Sequence, residues 1–425
     1  MRRIGLIREC HCLLVKIPRT YTTVSAAVRG SSSGVSESYF VLLRAVTSRG
    51  VEGVGEMSDL PISVADYLRE ASYQTGQPIE TLQLGNPPAD TGLEPLLGEI
   101  ESALRGCDPF DVQEVMSSFR KAHHAEIQAG NVYYAKAAMA ISMLLYDLVG
   151  KALDTPLYNL LGGKIRDRVP VSWVAYIRSV DDLQGEIVQR LAEGFKSFKV
   201  MVGTDAALDM ERVGIVRHMA GPGASIKVDA MASWTVKEAI QRIRDLGVHN
   251  LSGVESPVLH ADPRGIAMVR AAVSEAIIEH VYNSDRGMKL WSANAVDIVN
   301  VVPMMTGGID AARNLLSLAT MMSKPAVIGS AVELGPGTAV ALHLGVSCPV
   351  ATMPCDLVGP AMCVDDVITQ PFQYSEGALR VRDEPGLGVS LDMRKAALWE
   401  CSVKGFAGML AKERRTENRT EESKA

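Results

Sequence analysis

The sequence predicts an α/β protein: a modified TIM (β/α) barrel with an α+β capping domain formed by the N-terminal region and a returning C-terminal segment. Three observations carry this. Short apolar runs recur at 194–203, 226–229, 253–257 and 277–280, with helix-like segments such as 235–246 and 264–273 between them. The acids Asp229, Glu255 and Glu279 stand on three of those runs at intervals of 26 and 24 residues. Ahead of them, residues 4–17, 39–47 and 51–56 read as a meander of strands, turned at Arg49-Gly50.

Composition bounds the rest. A chain of 425 residues with 47% hydrophobic content can bury a large core in about two domains. A net charge of −6 offers no basic field for nucleic acid. No apolar run is expected to reach the roughly 18 residues a membrane span needs. Arg8 and Glu9 interrupt the start as a signal peptide, so a first β-strand is the better reading. Seven scattered cysteines do not make a disulfide framework; Cys10 and Cys12 are read as packing residues. A reduced, cytoplasmic setting, no nucleic-acid or membrane partner, and a homo-oligomer are expected.

Taken in order, residues 1–128 form the cap, 129–353 the barrel and 354–410 the return to the cap. The Ser-, Thr- and Gly-rich stretch 19–36 and residues 57–63 read as loops. Helices are expected at about 63–75, 93–104, 110–121 and 135–153; in the last, Ala138, Ile141, Leu145 and Leu148 keep helical spacing. Residues 169–177 read as the first barrel strand, 379–382 and 389–392 as strands completing the cap, and 411–425 as a charged, disordered tail.

The second barrel strand is the most informative. If Phe198, Val200 and Val202 face the helices, Lys199 and Met201 face the barrel interior. An inward lysine among apolar neighbours needs a carboxylate partner; a structural ion pair is the plain alternative. Barrel enzymes carry their chemistry at the C-terminal strand ends, where Asp229, Glu255 and Glu279 fall. Three carboxylates in one dry site need a neutralising cation, and an all-oxygen set suits Mg²⁺. Consecutive strand residues face opposite ways, so Glu279 and His280 cannot both point inward; Glu279 is preferred as the oxygen ligand, with His280 nearby as an acid–base group. A one-residue slip would put His280 in the site instead.

These residues, with Tyr146-Asp147-Leu148-Val149-Gly150-Lys151, 156–163, Asp297-Ile298-Val299-Asn300, Thr306-Gly307-Gly308 and Pro385-Gly386-Leu387-Gly388-Val389, resemble the mandelate racemase and muconate lactonising branch of the enolase superfamily. The resemblance implies Mg²⁺ on Asp229, Glu255 and Glu279, a small carboxylate substrate, and loops at 19–36 and 57–63 that close over the barrel mouth. It also places Glu333 on a family glutamate that faces substrate. The sequence departs from the pattern at the bases: Met201 replaces the second lysine of Lys-x-Lys, Val302 replaces a lysine or aspartate, and the seventh strand offers no histidine. A lyase or isomerase that forms an enediolate, dehydratase or cycloisomerase rather than racemase, is therefore expected. Lys199 leads as acid–base group and His280 follows. The alternative is a silenced scaffold acting as a binding or regulatory protein.

Overall fold

The computed structural model describes residues 4–26, 32–61, 64–75, 93–259, 262–404 and 406. The expected tail and His260 lie outside the described residues. Three antiparallel strands, β1 (Ile7–Ala26), β2 (Ser32–Thr47) and β3 (Glu52–Met57), form the cap sheet. The stretch read as a loop at 19–36 is strand instead, apart from 27–31, which are not described. Thr23 pairs with Val35 and Ala26 with Ser32 beyond a register shift after Pro18. Its polar composition reflects a two-stranded ribbon, where β-formers such as Thr23 and Val24 pair without burying both faces.

Two further strands, β4 (Arg168–Pro170) and β5 (Trp173–Ala175), divide the expected first barrel strand. The barrel continues through β6 (Ser197–Met201), β7 (Ser225–Asp229), β8 (Gly253–Glu255), β9 (Ile277–His280), β10 (Ile298–Val301) and β11 (Ala326–Ile328). Strands β5 to β11 lie in sequence order in one parallel, seven-stranded sheet. The segment at Cys355–Asp356 fills the eighth position. Asp356 N donates to Ile328 O at 3.0 Å; Cys355 N donates to Pro170 O and Ser172 N to Cys355 O, both at 2.8 Å. The barrel therefore runs past residue 353.

Helices between these strands start where local chemistry dictates. Ser179, Thr235 and Asn283 cap helices Val180–Ala192, Val236–Leu246 and Ser284–Ser292, and Thr235 with Glu238 completes a capping box. The strand expected near 379–382 is β12 (Ala378–Arg380), which pairs with β4 and not with the cap sheet. Leu391 makes only an isolated bridge with Ile368; among the described residues, Cys363, bridged to Arg19, and Glu400, bridged to Val15, return to the cap.

Helix Val132–Leu153 joins cap to barrel. By length and composition it could cross a membrane, contrary to the expectation above, yet 83% of its most apolar window is buried in the fold. Its charges are buried and paired. Lys136 Nζ donates to Ser58 O and Asp59 O at 3.0 and 2.8 Å, and Asp147 accepts from Val54 N at 3.0 Å and Leu387 N at 2.8 Å. Gly150 lies so close to Gly386 that an added Cβ would sit 2.6 Å from its Cα. Nearby, Glu56 at the end of β3 accepts from Leu334 N and Gly337 N, each at 2.8 Å, at the start of helix Gly335–Ser347. Burial pushes its carboxyl up to about 8 despite those donors.

Gly55 packs directly on this helix: a Cβ there would lie 2.2 Å from the Ala140 carbonyl oxygen. Gly55→Ala should therefore cost about 1–3 kcal/mol by overpacking. Gly98→Ala, on an exposed helical turn with nothing within 4 Å, should instead add about 0.5–1 kcal/mol. Urea unfolding of both variants checks the contrast; equal midpoints would contradict the docking of cap on barrel.

Candidate active site

Strand register decides which side chains reach the barrel interior. Lys199 pairs with Lys227 and Met201 with Asp229; Asp229 in turn pairs with Glu255. Opposed residues on neighbouring strands share a face, so these five point inward. Glu255 then pairs with Ile278, which places Ile278 and His280 inward and Glu279 on the other side.

Contacts agree with the register. Glu279 is buried away from the cavity: Oε1 accepts from Ser256 Oγ at 3.2 Å and from His280 N at 2.8 Å, and lies 3.6 Å from Arg286. The spacing that favoured Glu279 as third ligand is one residue short, and the slip that brings His280 in is the observed arrangement. His280 Nε2 stands 3.1 Å from Glu255 Oε1, and its ring stacks on Tyr282 with centroids 5.4 Å apart.

At the centre is the Lys199 ammonium. It lies 2.7 Å from Glu255 Oε1, 2.9 Å from Asp229 Oδ2 and 3.1 Å from Asp356 Oδ2. Lys227 Nζ, one layer below, sits 2.7 Å from Asp356 Oδ1, and Asn300 Nδ2 donates to Glu255 Oε1 at 2.9 Å. Burial alone would lower the Lys199 pKa, but Asp229, Asp356 and Glu255 outweigh it and hold the group well above the ordinary lysine range. Burial likewise opposes ionisation of Glu255, yet Lys199, His280 and Lys227 together hold it well below the usual carboxylate range. Asp229 is pushed up by burial, against the pull of Lys199. The three surrounding carboxylates thus favour the ammonium form of Lys199.

A cavity of about 210 Å³ opens above this cluster. Lys199, Met201, Asp229, His280, Val302 and Asp356 line it from the barrel; Arg19, Thr23, Ser25, Val35 and Asp59 line it from the cap. The described parts of the ribbon, 19–26 and 32–36, and Asp59 thus roof the mouth, while residues 62–63 lie outside the described residues. Arg19 donates to Ser38 Oγ at 2.9 Å, to Thr23 Oγ1, and to Asp59 Oδ2 at 2.8 Å. Among the described residues, four non-glycine residues that follow barrel strands hold left-handed backbone: Met231 (φ 48°), Ala232 (φ 57°), Ser256 (φ 46°) and Val332 (φ 57°). Such conformations cost about 1–3 kcal/mol each and collect where geometry serves a site. Glu333 does not line the cavity; its carboxylate accepts from Ser330 Oγ and from Ala331 N at 2.8 Å.

Of the residues singled out in the sequence, the structure brings Lys199, Asp229, Glu255 and His280 together and leaves out Glu279 and Glu333. Sequence reading set Asp356 aside as a less likely site residue and did not single out Lys227 or Asn300. Lys227 shares the parity of Asp229 within one strand, a readable signal. Asp356 arrives only through barrel closure, which no local pattern announces.

Among the described residues, no three acidic, histidine or cysteine side chains converge into a finished metal cage, because Lys199 stands between Asp229 and Glu255. The donors nonetheless fit a divalent cation on one observation: Glu255 Oε2 is a wholly buried carboxylate oxygen with no hydrogen-bond partner. Mg²⁺ commonly takes one or two protein carboxylates and keeps water on its other positions.

A cap over a parallel barrel, with strand-end acids around an inward lysine, defines an enolase-type architecture. Residues 15–162 match the family described as "Mandelate racemase / muconate lactonizing enzyme, N-terminal domain", and residues 182–396 match "Enolase C-terminal domain-like". The chain belongs to the mandelate racemase and muconate lactonising branch of the enolase superfamily, a family of enzymes. It is 27% identical to the N-succinyl-L-Arg/Lys racemase of Bacillus cereus, over 80% of this chain and 90% of that protein. It is 28% identical to the chloromuconate cycloisomerase of Cupriavidus pinatubonensis, over 84% and 90%. The crystal structure of 2-chloromuconate cycloisomerase from Rhodococcus opacus superposes with a TM-score of 0.78 at 25% identity, covering 94% of this chain and all of that one.

Asp356 is the ion-pair partner of Lys227 and one of three for Lys199. Asp356→Ala leaves buried positive charge uncompensated and should cost about 3–5 kcal/mol. Asp285→Ala breaks an exposed pair with Lys289 and should cost under about 1 kcal/mol. Chemical unfolding of the two variants side by side measures the difference, and equal losses would show that the cluster is not the buried network described.

Proposed function

We propose that this protein is an isomerase or lyase of small carboxylates that passes through an enediolate, and that it closes rings or eliminates water in preference to racemising. One observation carries this reading. The cavity floor presents a fixed ammonium, Lys199, beside one imidazole, His280, whereas Met201 on β6 and Val302 after β10 line the cavity without proton-carrying groups. Racemisation needs a proton-transfer group on each face of the reacting carbon; a cycloisomerase or dehydratase can work from one.

The chemistry follows from charge. Removing a proton beside a carboxylate places two negative charges on one group, and preorganised positive charge in a dry site stabilises that state most. Lys199 supplies such charge without reorganising, because Asp229, Glu255 and Asp356 fix it in place. Asp229 and Glu255 would also hold a divalent cation, Mg²⁺ for an all-oxygen pair, through the available Glu255 Oε2; when bound it supplies Lewis-acid stabilisation of the developing charge. His280 carries the proton at Nε2, oriented by Glu255 and by its stack on Tyr282. Arg19 and Asp59 close the mouth against water. Glu333 takes no part in proton transfer, being turned into its own loop.

A second reading has its own support: with Met201 and Val302 apolar, the same barrel serves as a silenced scaffold that binds a carboxylate without turning it over. The partner on either reading is a small carboxylate, and we place the protein in the cytoplasm as a homo-oligomer.

Incubating the protein with a panel of enantiopure carboxylates in D₂O with Mg²⁺, followed by proton NMR, separates these cases. The enzyme reading expects new ring-closed or dehydrated product, deuterium entering from one face, and a drop of about 10²–10³-fold in turnover for Lys199→Ala. Accumulation of both enantiomers would sink the one-sided mechanism. Binding without turnover, with proton exchange gained in Met201→Lys or Val302→Lys, would establish the scaffold.

A further inference from the structure

We infer that the ligand is a monocarboxylate with an apolar alkyl or aryl body, and neither a polyhydroxylated acid nor a dicarboxylate. The inference rests on the carboxylate reading above and adds the class of substrate. The cavity has a polar floor, a polar rim from the cap at Arg19, Thr23, Ser25, Asp59 and Glu70, and a largely apolar wall between them. Lys199, Asp229, His280 and Asp356 occupy one pole, where a carboxylate is met. The remaining wall is built largely from Val35, Met201, Met231, Val302, Met305 and Val332.

This wall rejects hydroxyls. Each hydroxyl placed against it without a partner costs on the order of 1–3 kcal/mol. Two of the five hydroxyls on the described lining residues are already engaged within the protein: Thr23 donates to Val35 O at 3.2 Å and Ser330 donates to Glu333; Ser25, Tyr176 and Tyr282 are the others, too few to match a polyhydroxylated acid. Three methionines in one wall supply flexible, polarisable surface that moulds to an alkyl chain or aromatic ring. An apolar body therefore gains contact where a sugar acid loses hydrogen bonds.

The charge pattern excludes a second carboxylate. Among the described lining residues, the arginine and lysine cations are Lys199 and Arg19. Arg19 is already engaged, with its charge paired to Asp59 and its Nε and Nη1 donating to Ser38 and Thr23. A second anionic end would approach Asp59 or the apolar wall, and neither compensates its lost hydration.

Calorimetry with three probes of similar size tests this on the wild-type protein with Mg²⁺ present: 3-phenylpropanoate, hexanedioate and gluconate. We expect 3-phenylpropanoate to bind at least ~10-fold more tightly than either of the others, the discrimination an apolar pocket typically gives. Met201→Gln, which sets an amide in the wall, should shrink that margin by a similar factor. Tightest binding by gluconate overturns the apolar assignment, and tightest binding by hexanedioate overturns the single-carboxylate assignment; both leave the carboxylate reading standing. Binding of none of the three overturns that reading together with this inference.

Discussion

Everything in this active site depends on one electrostatic constraint: three buried carboxylates, Asp229, Glu255 and Asp356, gather around the Lys199 ammonium at the barrel floor. Any one of these charges alone in a dry interior would cost several kcal/mol. Together, and with Lys227 beneath Asp356 and Asn300 on Glu255, they satisfy one another and fix the positions of groups drawn from β6, β7, β8, β10 and the closing segment. The same network favours the cationic form of Lys199. Three acids outvote the burial that would otherwise release its proton. In the proposed mechanism the proton-carrying role falls to His280, the inward imidazole at the edge of the cluster.

The cap completes what the barrel begins. Helix Val132–Leu153 contributes to both cores, and its buried Asp147 ties β3 to Leu387 from the far end of the chain. Glu56 performs a related task, holding the start of helix Gly335–Ser347 by two backbone amides. These junctions place the ribbon carrying Arg19 over the strand ends, where Ile177 N donates to Val24 O at 2.8 Å. Cavity volume, water exclusion and ligand choice are therefore set by two distant parts of the sequence meeting at one mouth.

Much of this was legible in the sequence, for identifiable reasons. The barrel showed itself because a βα repeat forces a period on the chain, and Asp229 and Glu255 sat on that period. Lys199 was readable by strand parity. Glu279 was misplaced because a spacing of 24 residues cannot reveal a register in which Glu255 opposes Ile278; a single residue turns the acid out and the imidazole in. The ribbon at 19–36 looked like a loop because composition does not report pairing partners. Helix Val132–Leu153 hid its apolar length behind Lys136 and Asp147, whose partners lie far away in sequence. Asp356 could not be found locally, since it enters the site only when the eighth position of the barrel is filled.

The central claim is that Lys199 remains an ammonium ion inside its cage of carboxylates. Nitrogen NMR of the ¹⁵Nζ-labelled protein, with Lys199→Arg to assign the signal, tests it directly. The account predicts that the Lys199 resonance keeps its ammonium shift while exposed lysines titrate near their ordinary value of about 10.4. A Lys199 signal that loses its proton at or below that value would contradict it, and would return Lys199 to the role of general base.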